Sequence, residues 1–131
     1  MDELGMELLL DHYQDPRNYG HLENPDIVHE EGNPSCGDQL RFELKLADGR
    51  IEDVRFTGKG CAISQAAASM LTERIKGRPL EEVKAIDKDE VLEMLGIEIS
   101  PMRLKCALLP LKIVKAGAYG ITDWPGEEED K

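Results

Sequence analysis

The chain contains three cysteines, Cys36, Cys61 and Cys106, and each stands where the residue pattern changes. Cys36 lies in Pro34-Ser35-Cys36-Gly37-Asp38, just ahead of an alternating stretch. Cys61 lies in Gly58-Lys59-Gly60-Cys61-Ala62, just ahead of an alanine-rich one. Cys106 lies in Leu104-Lys105-Cys106-Ala107, where a last helix is expected to open. A lone cysteine is often a small buried hydrophobe. Three at element boundaries, two of them beside glycines that let a backbone approach an inorganic group, point instead to thiolate chemistry: metal ligation or attack on sulfur. The absence of Cys-x-x-Cys excludes zinc knuckles, thioredoxin-like redox sites and bacterial ferredoxin loops.

Three thiolates leave a fourth ligand to find. Asp38 follows Cys36 by two residues, and side chains at i and i+2 of a strand share a side. An oxygen donor beside three thiolates is the poorer partner for soft iron–sulfur chemistry and favours release over permanent holding. Taken alone, Asp38 reads first as an ordinary turn or strand-start aspartate. Lys105 is a cation placed to lower the pKa of the Cys106 thiol or to pair with Asp38. The histidines His12, His21 and His29 fall in the first helix and a polar loop, where exposed side chains are the ordinary case.

Which elements would bring these residues together? Residues 3–13 carry apolar side chains at Leu4, Leu8 and Leu9, flanked by Met6, Leu10 and Tyr13, which predicts a helix with a broad apolar face. Asp15-Pro16 stops it. Residues 16–37, rich in Pro, Asn, Gly and Asp, read as a long loop. Residues 39–47 alternate strictly, with Leu40, Phe42, Leu44 and Leu46 on one face, the pattern of a half-buried strand. Asp48-Gly49 is a hairpin signal. Ile51, Val54 and Phe56 predict a second strand whose broken alternation places a bulge near Glu52-Asp53. Residues 62–76 predict a helix with Gly77 as its C-terminal signal. Pro79 with Leu80, Val83 and Ile86 predicts a short helix, and Asp87 is the N-cap of another that ends before Gly96. Residues 104–118 predict a final helix starting near Lys105, with Pro110 tolerable in its first turn or at a kink. Strands followed by helices define an α+β fold.

With 131 residues the expectation is one domain, 1–131, with 120–131 an acidic C-terminal tail. A domain of this size holds its own core without disulfides or metal. The formal net charge of −11 repels phosphate backbones and anionic lipid, so neither nucleic acid nor membrane is an expected partner. No apolar run approaches a membrane span, and the acidic N-terminus does not resemble a secretory signal. The expected compartment is the cytoplasm, where an odd number of cysteines are thiols.

The run His12-Tyr13, Pro16-Arg17-Asn18 and Gly20, then Asn33-Pro34-Ser35-Cys36-Gly37-Asp38, then Gly60-Cys61-Ala62-Ile63-Ser64, then Lys76-Gly77 and Lys105-Cys106-Ala107 resembles the IscU/SufU/NifU N-terminal family of iron–sulfur cluster assembly scaffolds. The resemblance implies a three-stranded antiparallel sheet with helices packed on one face. It implies a non-enzymatic scaffold that receives sulfur from a cysteine desulfurase, assembles a [2Fe–2S] cluster and passes it to apo acceptor or carrier proteins. The alternative it implies is a SufU-type zinc-dependent sulfurtransferase. Cluster or Zn²⁺ ligation is carried onto Cys36, Asp38, Cys61 and Cys106. Either Cys106 or Cys36 is a candidate for the thiol that accepts sulfur first, since either could be exposed on a mobile element; either a monomer or a homodimer is compatible. Three departures stand out. Lys105 replaces the histidine usual in IscU-type members, while the short segment from Gly77 to Arg103 lacks the insertion usual in SufU-type ones. Ile99-Ser100-Pro101-Met102-Arg103 replaces the family's Leu-Pro-Pro-Val-Lys chaperone-docking motif.

Overall fold

The strictly alternating stretch forms strand β2 (Asp38–Ala47) in the computed structural model, which describes residues 3–33 and 37–119. Ahead of it come helix α1 (Glu3–Gln14) and strand β1 (Ile27–Asn33). After it come strand β3 (Arg50–Lys59) and helices α2 (Ala62–Ile75), α3 (Leu80–Lys84), α4 (Lys88–Leu95) and α5 (Pro101–Tyr119). The strands form one antiparallel sheet in the order β1-β2-β3. Asp48 and Gly49 both have positive φ, 52° and 76°, as a two-residue type I′ hairpin requires. Lys45 pairs with Asp53 but the next residue, Leu46, pairs with Ile51. Glu52 is therefore the extra residue of a bulge, which puts Ile51 and Val54 on the same buried side of the strand.

Strand β1 lies inside the stretch that reads as loop. Only Ile27 and Val28 are apolar, and Val28 is exposed. Its backbone pairs with β2 from Ile27↔Leu44 to Asn33↔Asp38, so the strand is specified by its neighbour rather than by its own hydrophobicity. The free edge of β3 is covered at both ends. Phe56 exchanges hydrogen bonds with Asn18 and Gly20, and Ile51 does so with Gly77 and Arg78. Such covering removes a template for unwanted strand pairing.

Leu40, Phe42, Leu44, Val54 and Phe56 meet the buried faces of α2 and α5 in one core. Helix α2 is buried nearly all round, from Ala66 to Thr72, because small side chains let it sit between the sheet and its helical neighbours. Helix α1 buries Gly5, Leu9 and His12, a narrower stripe than its composition suggests, and leaves Leu4, Leu8, Leu10 and Tyr13 exposed. At Gly5 the contact is with backbone: a Cβ there would meet the Gly96 carbonyl oxygen at 2.4 Å. Asp87 caps α4 by accepting from Glu90 N–H at 3.0 Å, and Gly96 ends it with φ 68°. Helix α5 begins at Pro101, a turn earlier than expected, and Pro110 is interior and buried. Proline has no N–H, so the helix lacks the rung that residue 110 would give to the Cys106 carbonyl.

Candidate functional site

Asp38 opens β2, Cys61 is the N-cap of α2, and Cys106 sits in the second turn of α5. The three are far apart in sequence, yet a ligand atom from each lies within 4.8 Å of the others. The hairpin returns the chain to the same end of the sheet, Gln39 pairing with Lys59, and α5 crosses that end. Asp38 and Cys106 are buried and Cys61 is half-buried. The early start of α5 changes the reading of Cys106. It lies in the second turn rather than at the helix start, and it is on the buried face of the helix. Cys61 does occupy a helix start.

The two oxygens of Asp38 have different fates. Oδ1 accepts a hydrogen bond from Cys61 N–H at 2.9 Å. Oδ2 is buried with no hydrogen-bond partner among the described residues. A buried polar atom left unpaired costs about 1–3 kcal/mol, more when charged, unless something else meets it. Gly60 makes room for this carboxylate. A Cβ there would come within 2.4 Å of Asp38 Oδ1 and 2.5 Å of Ser64 Oγ, closer than real Cβ atoms approach. Ser64 is fully buried; its Oγ is 3.1 Å from the Cys61 carbonyl oxygen and 3.9 Å from Cys61 Sγ.

Burial pushes the Cys61 thiol pKa up, and so does the Asp38 carboxylate; the Ser64 main-chain N–H and hydroxyl, together with Cys106, outweigh them and hold it below the ordinary thiol value. Two cysteine sulfurs and a carboxylate oxygen within 4.8 Å of one another suit zinc or an iron–sulfur cluster better than a hard cation such as magnesium. Among the described residues this is the single group of three or more such side chains positioned to share a metal ion.

Of the other site residues expected from sequence, Cys36 lies outside the described residues. Lys105 is exposed, and within the described residues neither oxygen of Asp38 is bonded to it. His29 is engaged with Glu31, Nε2 to Oε2 at 2.7 Å. His12 is buried against Ser69. Sequence reasoning missed the part played by Ser64, although the spacing carries a signal: cap and third helical residue are the positions whose side chain and backbone meet at a helix start.

The chain is similar to known proteins over most of its length. A family model described as NifU-like N terminal domain matches residues 6–129. The zinc-dependent sulfurtransferase SufU of Bacillus subtilis is 37% identical over 134 residues, covering 89% of this chain and 90% of that protein. The iron–sulfur cluster assembly scaffold protein IscU of Escherichia coli is 36% identical over 132 residues, covering 95% of this chain and 97% of that protein. A crystal structure of a candidate scaffold protein for the SUF system from Fervidobacterium islandicum superposes with a TM-score of 0.75 at 30% identity, covering 86% of this chain and 94% of that one.

Proposed function

The chain belongs to the NifU-like N-terminal domain family, and from that premise we propose that it is an iron–sulfur cluster assembly scaffold whose ligands are Cys36, Asp38, Cys61 and Cys106. The cluster is cargo: sulfur arrives from a cysteine desulfurase as persulfide, iron(II) and an external electron donor reduce it to sulfide, the iron and sulfide form a [2Fe–2S] cluster on the ligand set, and it is passed to acceptor or carrier proteins. The observation that carries this reading is Asp38, whose Oδ2 is buried with no hydrogen-bond partner among the described residues and whose carboxylate lies within 4.8 Å of two cysteine sulfurs. With Oδ1 held by the Cys61 N–H, Asp38 has one oxygen to offer, and a single oxygen donor in a thiolate set makes the weakest link. Cargo is released there first. Cys36 and Cys106 are the thiols assigned to receive sulfur. Cys106 is wholly buried, so delivery to it requires α5 to shift outward. Lys105, exposed beside Cys106, is placed to meet the anionic persulfide as it arrives.

The deciding measurement is metal and acid-labile sulfide content, with an absorption spectrum, on protein purified without oxygen. Equal iron and sulfide with visible charge-transfer bands is the expected result; stoichiometric zinc with no sulfide counts against it. Asp38→Ala is expected to lengthen the life of a bound cluster, and equal or faster loss would remove Asp38 as the release ligand.

A second reading has its own support. The Bacillus subtilis relative, matched over most of both chains, is named a zinc-dependent sulfurtransferase, and the lysine before Cys106 is the SufU-type residue. In that reading Zn²⁺ takes the same four ligands, and a desulfurase exchanges one of them so that a cysteine is released to accept persulfide. Acceleration of desulfurase turnover by the zinc-loaded protein would favour it; no acceleration would set it aside.

A further inference from the structure

Cys61 and Ser64 form a pair whose hydrogen bond can run in either direction. With Cys61 as a thiol, Sγ–H faces the Ser64 oxygen at 3.9 Å, and the Ser64 hydroxyl proton points to the Cys61 carbonyl at 3.1 Å. That carbonyl has a second donor, the Gln65 N–H at 3.1 Å. It therefore stays satisfied if the serine proton turns away. Ser64 is fully buried and cannot exchange this partner for bulk water, and Asp38 and Gly60 close its other side.

Loading the site removes the Cys61 proton to solvent, since a ligating sulfur is a thiolate. The sulfur then has nothing to donate and becomes a strong acceptor, and a hydrogen bond to a charged acceptor is roughly twice as strong as a neutral one. We propose that Ser64 is a positioning residue for the cargo: its hydroxyl turns from the Cys61 carbonyl to the Cys61 sulfur when the site is loaded, and turns back when the cargo leaves. This rests on the ligand assignment of Cys61 made above. A hydrogen bond to a ligating sulfur withdraws electron density from it, one of the means by which a protein sets cluster potential. Ser64 thus weakens the hold of Cys61 on the cargo without any movement of the backbone.

The test uses Co²⁺ alone as probe on the full chain, comparing wild type with Ser64→Ala and Ser64→Thr. The sulfur-to-cobalt charge-transfer bands of the wild type are expected to move to longer wavelength in Ser64→Ala and to return in Ser64→Thr, which keeps the hydroxyl. The same order is expected in the reduction potential of the anaerobically reconstituted cluster, more negative for Ser64→Ala. Loss of a merely structural contact would change affinity or melting temperature and leave the band positions alone. If wild type shows strong thiolate bands and those of Ser64→Ala coincide with them, the inference is overturned while the ligand site stands. If wild type shows no thiolate bands, the ligand site fails, and this inference with it.

Discussion

At the residue scale the site depends on a missing atom. Gly60 is conformationally ordinary; what matters is that it has no Cβ where Asp38 Oδ1 and Ser64 Oγ converge. Gly60→Ala is expected to displace the carboxylate and weaken Co²⁺ or Zn²⁺ binding by roughly 10-fold or more, the scale seen when partners of metal ligands are lost, with the circular dichroism spectrum unchanged. Metal titration checks it. Glu43 shows a different use of a buried carboxylate. Burial alone would raise its pKa, but Leu22 N–H, His21 and Arg41 all donate to it, and the balance lowers it from the usual 4.5 to about 2. The unfolded chain takes up that proton first as pH falls, so the contribution is complete above about 4.5 and is lost between there and about 2. Glu43→Gln is expected to lower the melting temperature at pH 7 and to flatten its decline over that acid range. Neither role is visible in the sequence. Gly60 reads as a generic close-approach glycine and Glu43 as a solvent-face residue of an alternating strand, because each owes its role to residues distant in sequence.

Among the elements, α1 is tied to α2 by polar contacts as well as by Leu9. Arg17 N–H donates to Ser69 Oγ at 2.8 Å, which leaves the serine hydroxyl for His12 Nδ1 at 2.7 Å. Asn18 reaches Thr72 in the same way. The His12-Tyr13 and Pro16-Arg17-Asn18 runs thus act as a clamp on the second helix. Burial, with Arg17 nearby, lowers the His12 pKa below 6.5. A base neutral in the fold and protonated in the unfolded chain withdraws stability as pH falls through its unfolded value. The melting temperature is expected to drop between pH 7.5 and 5.5, and by less in His12→Asn, which keeps an acceptor for Ser69 and does not titrate. Most elements were legible because each carries its own signal: alternation in β2, Asp48-Gly49 at the turn, broken phase at the bulge, Asp87 at its cap. Strand β1 carries almost none, since its pairing partner and not its own side chains specifies it. Pro101 opens the last segment in the sequence, and the helix starts at that proline rather than near Lys105, because proline suits a first helical turn.

For the whole molecule, the core joins all three strands to α1, α2, α4 and α5 through apolar side chains with no help from the ligand site. Protein stripped with chelator is expected to keep a cooperative thermal transition, and ligand-site loading to raise its midpoint in proportion to the logarithm of metal in excess. Unfolding on chelation would favour a fold held together by its metal. No helix among the described residues is long and apolar enough to cross a membrane. The acidic tail, 120–131, with Trp124, lies outside the described residues. The convergence of Asp38, Cys61 and Cys106 is the least legible property at this scale. Their separations in sequence encode nothing local, and only the hairpin and the return of α5 bring them to one end of the sheet.

Pro110 has a consequence in time as well as in space. The rung it removes lies one turn behind Cys106, so the last helix is two stretches of unequal persistence. Its front half, through Leu109, is expected to open to solvent ahead of the half that follows Leu111, with amides 105–109 taking up deuterium sooner than those of Ile113 to Ala116. The half that opens first carries a cysteine otherwise out of reach. How often that thiol meets a partner is then set by the lifetime of a few backbone hydrogen bonds, a clock that Pro110→Ala would slow.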